Sequence, residues 1–357
     1  MGLFTGVDLH SNNGYYGIIN EDEERIFKKK LPNHLPTVLS NLEPFREDIV
    51  GIVVESTYNW YWLVDGLMEE GYKVHLANPS AIKQYEGLKY SDDVREAFFL
   101  AQLLKLGILP EGYIYPKEER PVRDLLRRRL ILIRQRTSHI LSFQSLITRN
   151  TAVKISCNDI KKLEVEDVKR LLDEECLILS GETNIAVIRF LSKKIGEIEK
   201  AVLKRVKLRE EYEKLLTAPG IGKILALTIM LETGDIRRFA KVGNYSSYCR
   251  CVKSEYITNN KKKGEGNRKN GNKYLGWAYV EAANFAKRYC PEAKKFYQRK
   301  MAKTNQIVAT KALANKIARA CYYVMRDREV FKVEKVFGRR EGCGSEPRRG
   351  LVKSQEI

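Results

Sequence analysis

Short apolar runs separated by turn residues dominate the first third of the chain. Five runs have the length and apolar content of β-strands: residues 3–9, 14–20, 25–31, 49–55 and 73–77. Ser11-Asn12-Asn13-Gly14 joins the first two as a hairpin turn, and helical periodicity follows at 60–70 and 92–106. A hairpin followed by alternating strands and helices predicts a mixed sheet covered by helices. This is the arrangement of the ribonuclease-H-like α/β fold.

Two long helical stretches replace the short elements beyond Leu109-Pro110. Residues 118–149 carry the basic group Arg127-Arg128-Arg129, and residues 183–216 have apolar side chains at helical spacing. Two long charged helices around a shorter irregular part predict an antiparallel coiled-coil arm. The arm is either a spacer or an element for oligomerisation or RNA gripping, and spacing alone does not distinguish these roles.

The remaining sequence predicts a mainly α-helical region. Pro219-Gly220-Ile221-Gly222 precedes an apolar helix at 224–231, which fits either a helix-hairpin-helix phosphate site or a plain turn before a core helix. Further helices are predicted at 277–288 and 308–327. The chain is thus expected to comprise a sheet domain at 1–115, a coiled-coil connector at 116–212, a mainly α C-terminal domain at 213–338 and a disordered basic tail at 339–357.

Composition narrows the function classes. No apolar run reaches membrane-spanning length and no signal peptide is recognisable, so we expect a cytoplasmic protein that does not bind membranes. Seven cysteines without a Cys-x-x-Cys pair argue against a disulfide framework and a zinc site. The net charge of +19 is uneven, since residues 1–112 carry 10 Lys+Arg against 17 Asp+Glu and the remainder carries 54 against 28. This division favours a metal site coupled to a nucleic-acid-binding surface.

Four acidic residues are the candidate metal ligands. Asp8 and Glu55 end two predicted strands, and Asp93 and Glu96 lie three residues apart on one predicted helix, hence on one face. Each could be a turn cap or a first-turn helix acid, but four carboxylates gathered together would repel one another unless they bound a divalent cation such as Mg²⁺. His10 is expected to support this site rather than to bind the metal, because Mg²⁺ prefers oxygen ligands.

A basic, glycine- and asparagine-rich loop between Arg250 and Lys273 is the candidate nucleic-acid contact. It holds eight Lys or Arg against two Glu and cannot form a core. Its hydroxyls at Ser254 and Thr258 have no convincing His/Asp partners for a protease-like triad, so phosphate contact is their simplest role. The predicted binding residues are Arg250, Lys253, Lys261, Lys262, Lys263, Arg268, Lys269 and Lys273.

Several short motifs follow one another along the chain. They are Gly6-Val7-Asp8-Leu9-His10, Glu55-Ser56-Thr57-Tyr58, Asn78-Pro79, Lys89-Tyr90-Ser91-Asp92-Asp93 with Glu96-Ala97, Pro219-Gly220-Ile221-Gly222, Gly234-Asp235-Ile236-Arg237-Arg238-Phe239 and Lys269-Asn270-Gly271-Asn272-Lys273-Tyr274-Leu275. In this order and spacing the chain resembles the insertion-sequence transposases that join an N-terminal DEDD, RuvC-like domain to a C-terminal serine-bearing transposase domain; Piv-type invertases are relatives.

The resemblance implies a DNA recombinase of a mobile element, guided by an element-encoded RNA that pairs with donor and target DNA. It implies a Mg²⁺ site made by Asp8, Glu55, Asp93 and Glu96, and a composite active site completed by a nucleophilic serine, across subunits of a dimer or tetramer. This sequence departs twice from the family pattern: Glu96 replaces an aspartate, and Thr258 stands at the nucleophile position, with Ser254 as the alternative.

Two other functions fit the same residues. A structure-selective, metal-dependent DNA nuclease would use the acidic site alone and leave free 3′-OH ends. A decayed transposase retained for RNA or DNA binding would show no activity that depends on Asp8. The replaced aspartate and serine keep the second alternative open, whereas the basic loop with its aligned hydroxyl favours the recombinase.

Overall fold

The protein is described here from a computed structural model that covers residues 2–82, 93–205, 209–253, 255–264 and 270–338. The chain divides into two compact units, Met1–Pro121 and Val122–Ile357. The predicted boundaries near residues 115 and 212 remain predictions. Residues 83–92 and the predicted disordered tail lie outside the described part, as do the candidate residues Ser254, Arg268 and Lys269.

The first unit is built on a five-stranded mixed sheet. Its strands are β1 (Leu3–Leu9), β2 (Asn13–Ile19), β3 (Arg25–Pro32), β4 (Ile49–Glu55) and β5 (Val74–Ala77). Their order across the sheet is β3-β2-β1-β4-β5, with β1 antiparallel to β2 and parallel to β4. This confirms the predicted mixed α/β sheet and is consistent with a ribonuclease-H-like domain.

Three α-helices cover this sheet: α1 (Leu35–Leu42), α2 (Tyr61–Glu69) and α3 (Asp93–Lys105). α3 packs closely on β1 at Gly6, where an added Cβ would lie 1.9 Å from the carbonyl oxygen of Ala97. Only a glycine permits this approach of helix backbone to strand backbone. The contact fixes the start of α3 relative to the end of β1.

The second unit contains two long helices, α4 (Arg120–Thr151) and α6 (Glu175–Arg205), with the short α5 (Cys157–Ile160) between them. Side-chain contacts run in opposite directions along the two: Arg129 contacts Glu199, Arg136 contacts Ser192 and His139 contacts Asn184. The pairing is therefore antiparallel. The role of this arm remains a prediction.

The rest of the second unit is a helical core with one small hairpin. Its elements are α7 (Glu210–Leu216), α8 (Lys223–Thr233), α9 (Val242–Tyr248), β6 (Tyr256–Thr258), β7 (Lys261–Gly264), α10 (Lys273–Tyr289), α11 (Pro291–Met301), α12 (Gln306–Asp327) and α13 (Val333–Phe337). The core is rich in small side chains on α10 and α12, which allows these helices to pack closely.

Two sequence expectations change here. The predicted helix 183–216 was wrong at both ends, since α6 begins at Glu175 and the extended backbone of Arg209 caps a separate helix, α7. Gly220, at φ +82°, lies where a Cβ would meet the carbonyl oxygen of Ala282 at 2.1 Å. Its turn thus packs against α10, which favours a core turn over a phosphate site.

Among the described residues, no helix is both long and apolar enough to cross a membrane.

Candidate active site

Asp8 and Glu55 lie side by side at one edge of the sheet. The preceding residues of the two parallel strands, Val7 and Val54, are paired in register, so the next residue of each strand emerges at the same edge. Asp8 is 2% exposed, and its carboxyl group shares a hydrogen bond with that of Glu55. A strand register thus brings together two acids that are 47 positions apart in sequence.

The first turn of α3 adds Asp93 and Glu96 to this edge. The close packing of α3 on Gly6 places the helix start beside Asp8, and Asp93 lies 3.4 Å from His10, measured from Oδ2 to Nε2. The negative charges of Asp93 and Glu96 are near enough to oppose ionisation of Asp8. The other three acids predicted from the sequence therefore all act on Asp8, Glu55 through a hydrogen bond and Asp93 and Glu96 through their charges.

His10 lies between the two aspartates. Its Nε2 is 3.2 Å from Asp8 Oδ2 and 3.4 Å from Asp93 Oδ2. Oδ2 of Asp8 and Nε2 of His10 are both buried, and their contact lacks the angles of a hydrogen bond. These three side chains form the group of possible metal ligands within the described residues, and their donor atoms all lie within 4.8 Å of one another.

Two carboxyl groups of this site, those of Asp8 and Glu55, have raised pKa values. Burial raises the pKa of Glu55 to about 8, with further contributions from its hydrogen bond to Asp8 and from the charges of Asp8 and Glu96. Burial also raises the pKa of Asp8, although the hydrogen bond from Glu55 and the proximity of His10 oppose the shift. Burial removes the water that would otherwise stabilise the ionised carboxylates. A divalent cation would stabilise the ionised forms of both groups in its place, because it supplies a positive charge beside them.

The backbone after β1 holds His10 in place. Its N–H donates to the carbonyl oxygen of Asn13, and its own carbonyl oxygen accepts from Nδ2 of Asn33 and of Asn59. These three hydrogen bonds hold the backbone of His10 in place after the end of β1. Sequence reasoning assigned His10 only a supporting role, because Mg²⁺ prefers oxygen ligands. It missed the contact with Asp93, which is distant in sequence and which no local motif signals.

Thr258 lies in the second unit, on the β6–β7 hairpin. Thr258 pairs with Lys261, and the two residues between them, Asn259 and Asn260, have φ values of +53° and +57°. This is the geometry of a tight two-residue hairpin turn, in which asparagine tolerates the left-handed conformation. Thr258 is exposed, so its position directly before the turn presents the end of β6 to solvent.

The basic residues around this hairpin differ in their contacts. Lys253, Lys261 and Lys263 are exposed, while Arg250 donates from Nε to the carbonyl oxygens of Asn270 and Gly271 and so ties the two ends of the loop together. Lys273 lies over the ring of Tyr274, with Nζ 5.2 Å from the centroid. The side chain of Lys262 lies outside the described part of the structure.

A buried ion-pair network, missed from sequence, lies beneath this loop. Glu232 on α8 is 1% exposed and accepts from Arg123 at 3.0 Å, from Arg127 and from the side-chain amide of Asn272 at 2.8 Å. Asn272 also caps α10 by accepting from the N–H groups of Tyr274 and Leu275. Arg127, part of the basic group noted in the first long helical stretch, therefore has a structural role in the second unit.

Comparison with known families now gives two matches. Residues 5–150 match the DEDD transposase family of the IS110 type, and residues 212–298 match the family described as Transposase IS116/IS110/IS902. Both matched families are insertion-sequence transposases of the IS110/IS116 type, and their two ranges follow one another along the chain. The first matched range includes all four predicted acids and His10, and the second includes the Thr258 hairpin.

Individual transposases are similar to this chain at low identity. A transposase for insertion sequence element IS1328 from Yersinia enterocolitica is 22% identical over 91% of this chain and 97% of its own length. A transposase for IS1111A from Coxiella burnetii is 23% identical over 63% of this chain and spans only 62% of that relative. A probable family 20 transposase from Pseudomonas aeruginosa is 23% identical over 74% of this chain and 80% of its own length.

Proposed function

We propose that this transposase cuts and rejoins DNA with a divalent metal, Mg²⁺ in the first instance, held at the acidic site and with the hydroxyl of Thr258 as nucleophile. The observation that carries the proposal is the convergence of Asp8, His10 and Asp93, with Glu55 hydrogen-bonded to Asp8, at one edge of the sheet. Placing further acids beside the buried carboxylate of Asp8 is costly unless a cation joins them.

The donor atoms fit a small divalent ion. Ligands at about 2.1 Å from an octahedral ion are separated by about 3.0 Å along each edge. The two His10–carboxylate separations, 3.2 and 3.4 Å, are close to that value. The buried Oδ2 of Asp8 and Nε2 of His10, which do not hydrogen-bond to each other, are the atoms that such an ion would engage.

The chain's own groups would divide the work. Asp8 and Asp93 would hold the ion, and His10, expected from the sequence only to support the site, would join them because its Nε2 lies beside both carboxylates. Glu55 and Glu96, the other two predicted ligands, would bind the ion directly or tune its charge. The bound ion would neutralise charge on the nonbridging and leaving oxygens of the scissile phosphodiester. Thr258 Oγ1 would form the new bond to phosphorus as the sugar oxygen leaves, with its proton passing to solvent. Lys261, paired with Thr258 across the hairpin, and the exposed Lys253 and Lys263 would bind the DNA backbone.

RNA guidance and assembly complete the proposal. The strongly basic region after residue 112 suits a polyanion larger than one DNA strand, and the family resemblance points to an element-encoded RNA that pairs with donor and target DNA. A composite site would require the protein to act as a dimer or tetramer. Sequencing of copurified RNA and the solution mass of the RNA complex test these two parts independently of catalysis.

The decisive experiment is a recombination assay with donor and target DNA, the element's flanking RNA and Mg²⁺, in which protein–DNA adducts are resolved on a denaturing gel. We expect an adduct in the wild type that is lost in Thr258→Ala and Asp8→Asn but kept in Ser254→Ala. An active Thr258→Ala variant with an inactive Asp8→Asn variant would transfer the nucleophile role to Ser254, or indicate a metal-only nuclease.

Thr258→Ser sharpens this test. Serine keeps the hydroxyl and removes the methyl group that restricts χ1 of threonine. If Thr258 is the nucleophile, the serine variant forms the adduct at least as fast as wild type, while the alanine variant forms none. Equal adduct levels in the alanine and serine variants would exclude a role for this hydroxyl.

Metal binding has its own readout. Titration of Mn²⁺ as a spectroscopic probe, followed by electron paramagnetic resonance, measures the site without any DNA. We expect His10→Ala and Asp8→Asn each to weaken binding by at least tenfold, and His75→Ala, which alters a histidine paired with Glu111 elsewhere in the first unit, to leave it unchanged. Unchanged binding in His10→Ala would remove this histidine from the ligand set.

A further inference from the structure

A basic pocket near the end of the described chain is separate from all the residues assigned above. It lies between the C-terminal half of α12 and the segment leading through α13, and its volume is about 520 Å³. Its basic side chains are Lys316, Arg319, Arg326, Lys332 and Lys335, against the two carboxylates of Asp327 and Glu329. The described lining therefore has an excess of three positive charges.

The two carboxylates are already paired. Arg326 binds Asp327 through two contacts of 2.7 and 3.0 Å, and Lys332 Nζ lies 2.9 Å from Glu329. Among the described residues, neither Arg319 nor Lys335 takes part in these ion pairs. Arg319 and Lys335 are exposed, so an anion can reach them from solvent.

Aromatic surface lies among these cations. Tyr323 lines the pocket with 44% of its surface exposed, and the guanidinium of Arg326 lies 4.8 Å from its ring centroid. Phe331 lines the pocket as well, but it is buried. A pocket that combines cations with an exposed aromatic ring suits a ligand with both phosphate and base, because the phosphate pairs with lysine or arginine and the base stacks on the ring.

We propose that this pocket binds one or two nucleotides of a single-stranded nucleic acid, as a site additional to the catalytic acids and the basic loop. A volume of about 520 Å³ lies in the range of pockets that enclose small ligands and is too small for a duplex. The side chains that contact the strand are Arg319 and Lys335, through phosphate, and Tyr323, through a base. This goes beyond the proposed chemistry, since binding here requires neither the metal nor Thr258.

The first test measures the salt dependence of binding. Wild type and variants are titrated with fluorescent 12-nucleotide oligo-U and oligo-dT in EDTA, which prevents cleavage, and affinity is followed by anisotropy at several salt concentrations. Each phosphate contact to a single strand contributes about −0.7 to the slope of log K against log salt. We expect Arg319→Gln and Lys335→Gln each to make the slope shallower by roughly that amount, and the double variant by about twice as much.

Lys28→Gln is the matched control, because it removes one charge from an exposed position on β3 in the first unit. Its slope is expected to equal that of wild type. A Tyr323→Leu variant is expected to bind about fivefold or more weakly, whereas Tyr323→Phe, which keeps the ring, binds as wild type does. Thermal melts of each variant verify that the fold is retained.

Crosslinking locates the bound strand independently of affinity. An oligonucleotide with 5-iodouridine, irradiated with the wild-type protein and digested with trypsin, is expected to label the peptide of residues 320–326, which contains Tyr323. Excess unlabelled oligo-U or oligo-dT should remove this label, and the stronger competitor identifies RNA or DNA as the preferred strand.

Three results would overturn the proposal: unchanged salt slopes in the double variant, no label in residues 320–326, or competition by free UMP at the concentration at which the strand competes. The last would make the ligand a free nucleotide. None of these results bears on the adduct assay, so failure of this site and failure of the Thr258 mechanism are distinguishable.

Discussion

Each unit contains a buried carboxylate, Asp8 in the first and Glu232 in the second, and the groups that surround it differ in charge. In the second unit, Glu232 is surrounded by Arg123, Arg127 and Asn272, and these contacts hold its pKa below the usual value although burial alone would raise it. In the first unit, Asp8 faces Glu55, Asp93 and Glu96, and the pKa values of Asp8 and Glu55 are raised. Here His10 is the one basic side chain among the described groups that act on Asp8.

The difference separates a structural carboxylate from a functional one. A carboxylate whose charge is balanced by arginines of its own chain has no capacity left for an external cation. A carboxylate cluster left without such partners is less stable by itself and gains stability when a cation binds. A substitution at Asp8 should therefore reduce activity more than stability, and a substitution at Glu232 should reduce stability more than metal binding.

Asp8→Asn is expected to give the largest effect. It removes a proposed metal ligand, so strand cleavage should fall by about 10³-fold, while the melting temperature of the metal-free protein should rise or stay level because one buried charge is removed. Adduct gels and thermal melts in EDTA measure the two outcomes. Asp22→Asn, in an exposed turn of the first unit, is the control. A large loss of stability in Asp8→Asn would contradict the comparison.

Glu232→Gln is expected to give the converse result. Loss of the carboxylate leaves two partly or fully buried guanidinium groups without their counter-charge, so the free energy of unfolding should fall by about 3 kcal/mol. Mn²⁺ binding by the first unit should be unchanged. Urea denaturation measures the first quantity, with Glu199→Gln as the control, since that half-exposed pair should cost less than about 1 kcal/mol.

Gly6→Ala tests whether the packing of α3 positions the acidic cluster. The added methyl group would overlap the backbone of Ala97, and α3 must move to relieve it. We expect a loss of about 2 kcal/mol in stability and Mn²⁺ binding at least tenfold weaker. Gly196→Ala, on the arm helix α6 with open space around the new methyl group, should leave Mn²⁺ binding unchanged and raise stability by about 0.5–1 kcal/mol. Wild-type Mn²⁺ affinity in Gly6→Ala would show that the site does not depend on this contact.

The pH dependence of stability should have opposite signs for Glu232 and Glu55. Each group can change the free energy of unfolding by at most about 1.4 kcal/mol per pH unit. Because the pKa of Glu232 is lowered, its contribution is present above about pH 4.5 and is lost as the pH falls further. Because the pKa of Glu55 is raised from 4.5 to about 8, the metal-free protein loses stability as the pH rises through that interval. Urea denaturation in EDTA at several pH values measures both.

Two variants assign these slopes to their groups. Glu232→Gln should flatten the acidic limb, and Glu55→Gln should flatten the limb between pH 4.5 and 8. If Glu55→Gln retains the full slope in that interval, another group is responsible for it.

Much of the first unit could be predicted from the sequence. The apolar runs that form β1 to β5 are short and bounded by turn residues, so their ends were predicted to within one or two residues. The gathering of Asp8, Glu55 and the start of α3 followed from strand ends sharing one edge of a sheet. These features depend on local pattern and on simple topology, and both are readable from a single sequence.

Other features depend on contacts that no local pattern encodes. The helix break at Arg209 has neither proline nor glycine; it allows Tyr212 and Leu215 on α7 to enter the core of the second unit. The contact of His10 with Asp93 and the pairing of Arg127 with Glu232 each join residues that are far apart in sequence. Such contacts are set by the packing of α3 and α4, which only the three-dimensional structure supplies.

The turn at Asn259-Asn260 has a consequence for how this gene can change over generations. Side chains alternate between the two faces of a hairpin, and a turn of only two residues cannot accommodate an added or lost residue without a change in the strand register. An insertion or deletion of one codon there would turn Thr258 to the opposite face, whereas many substitutions would leave it in place. Natural variants of this segment should therefore differ in their residues but keep the same length.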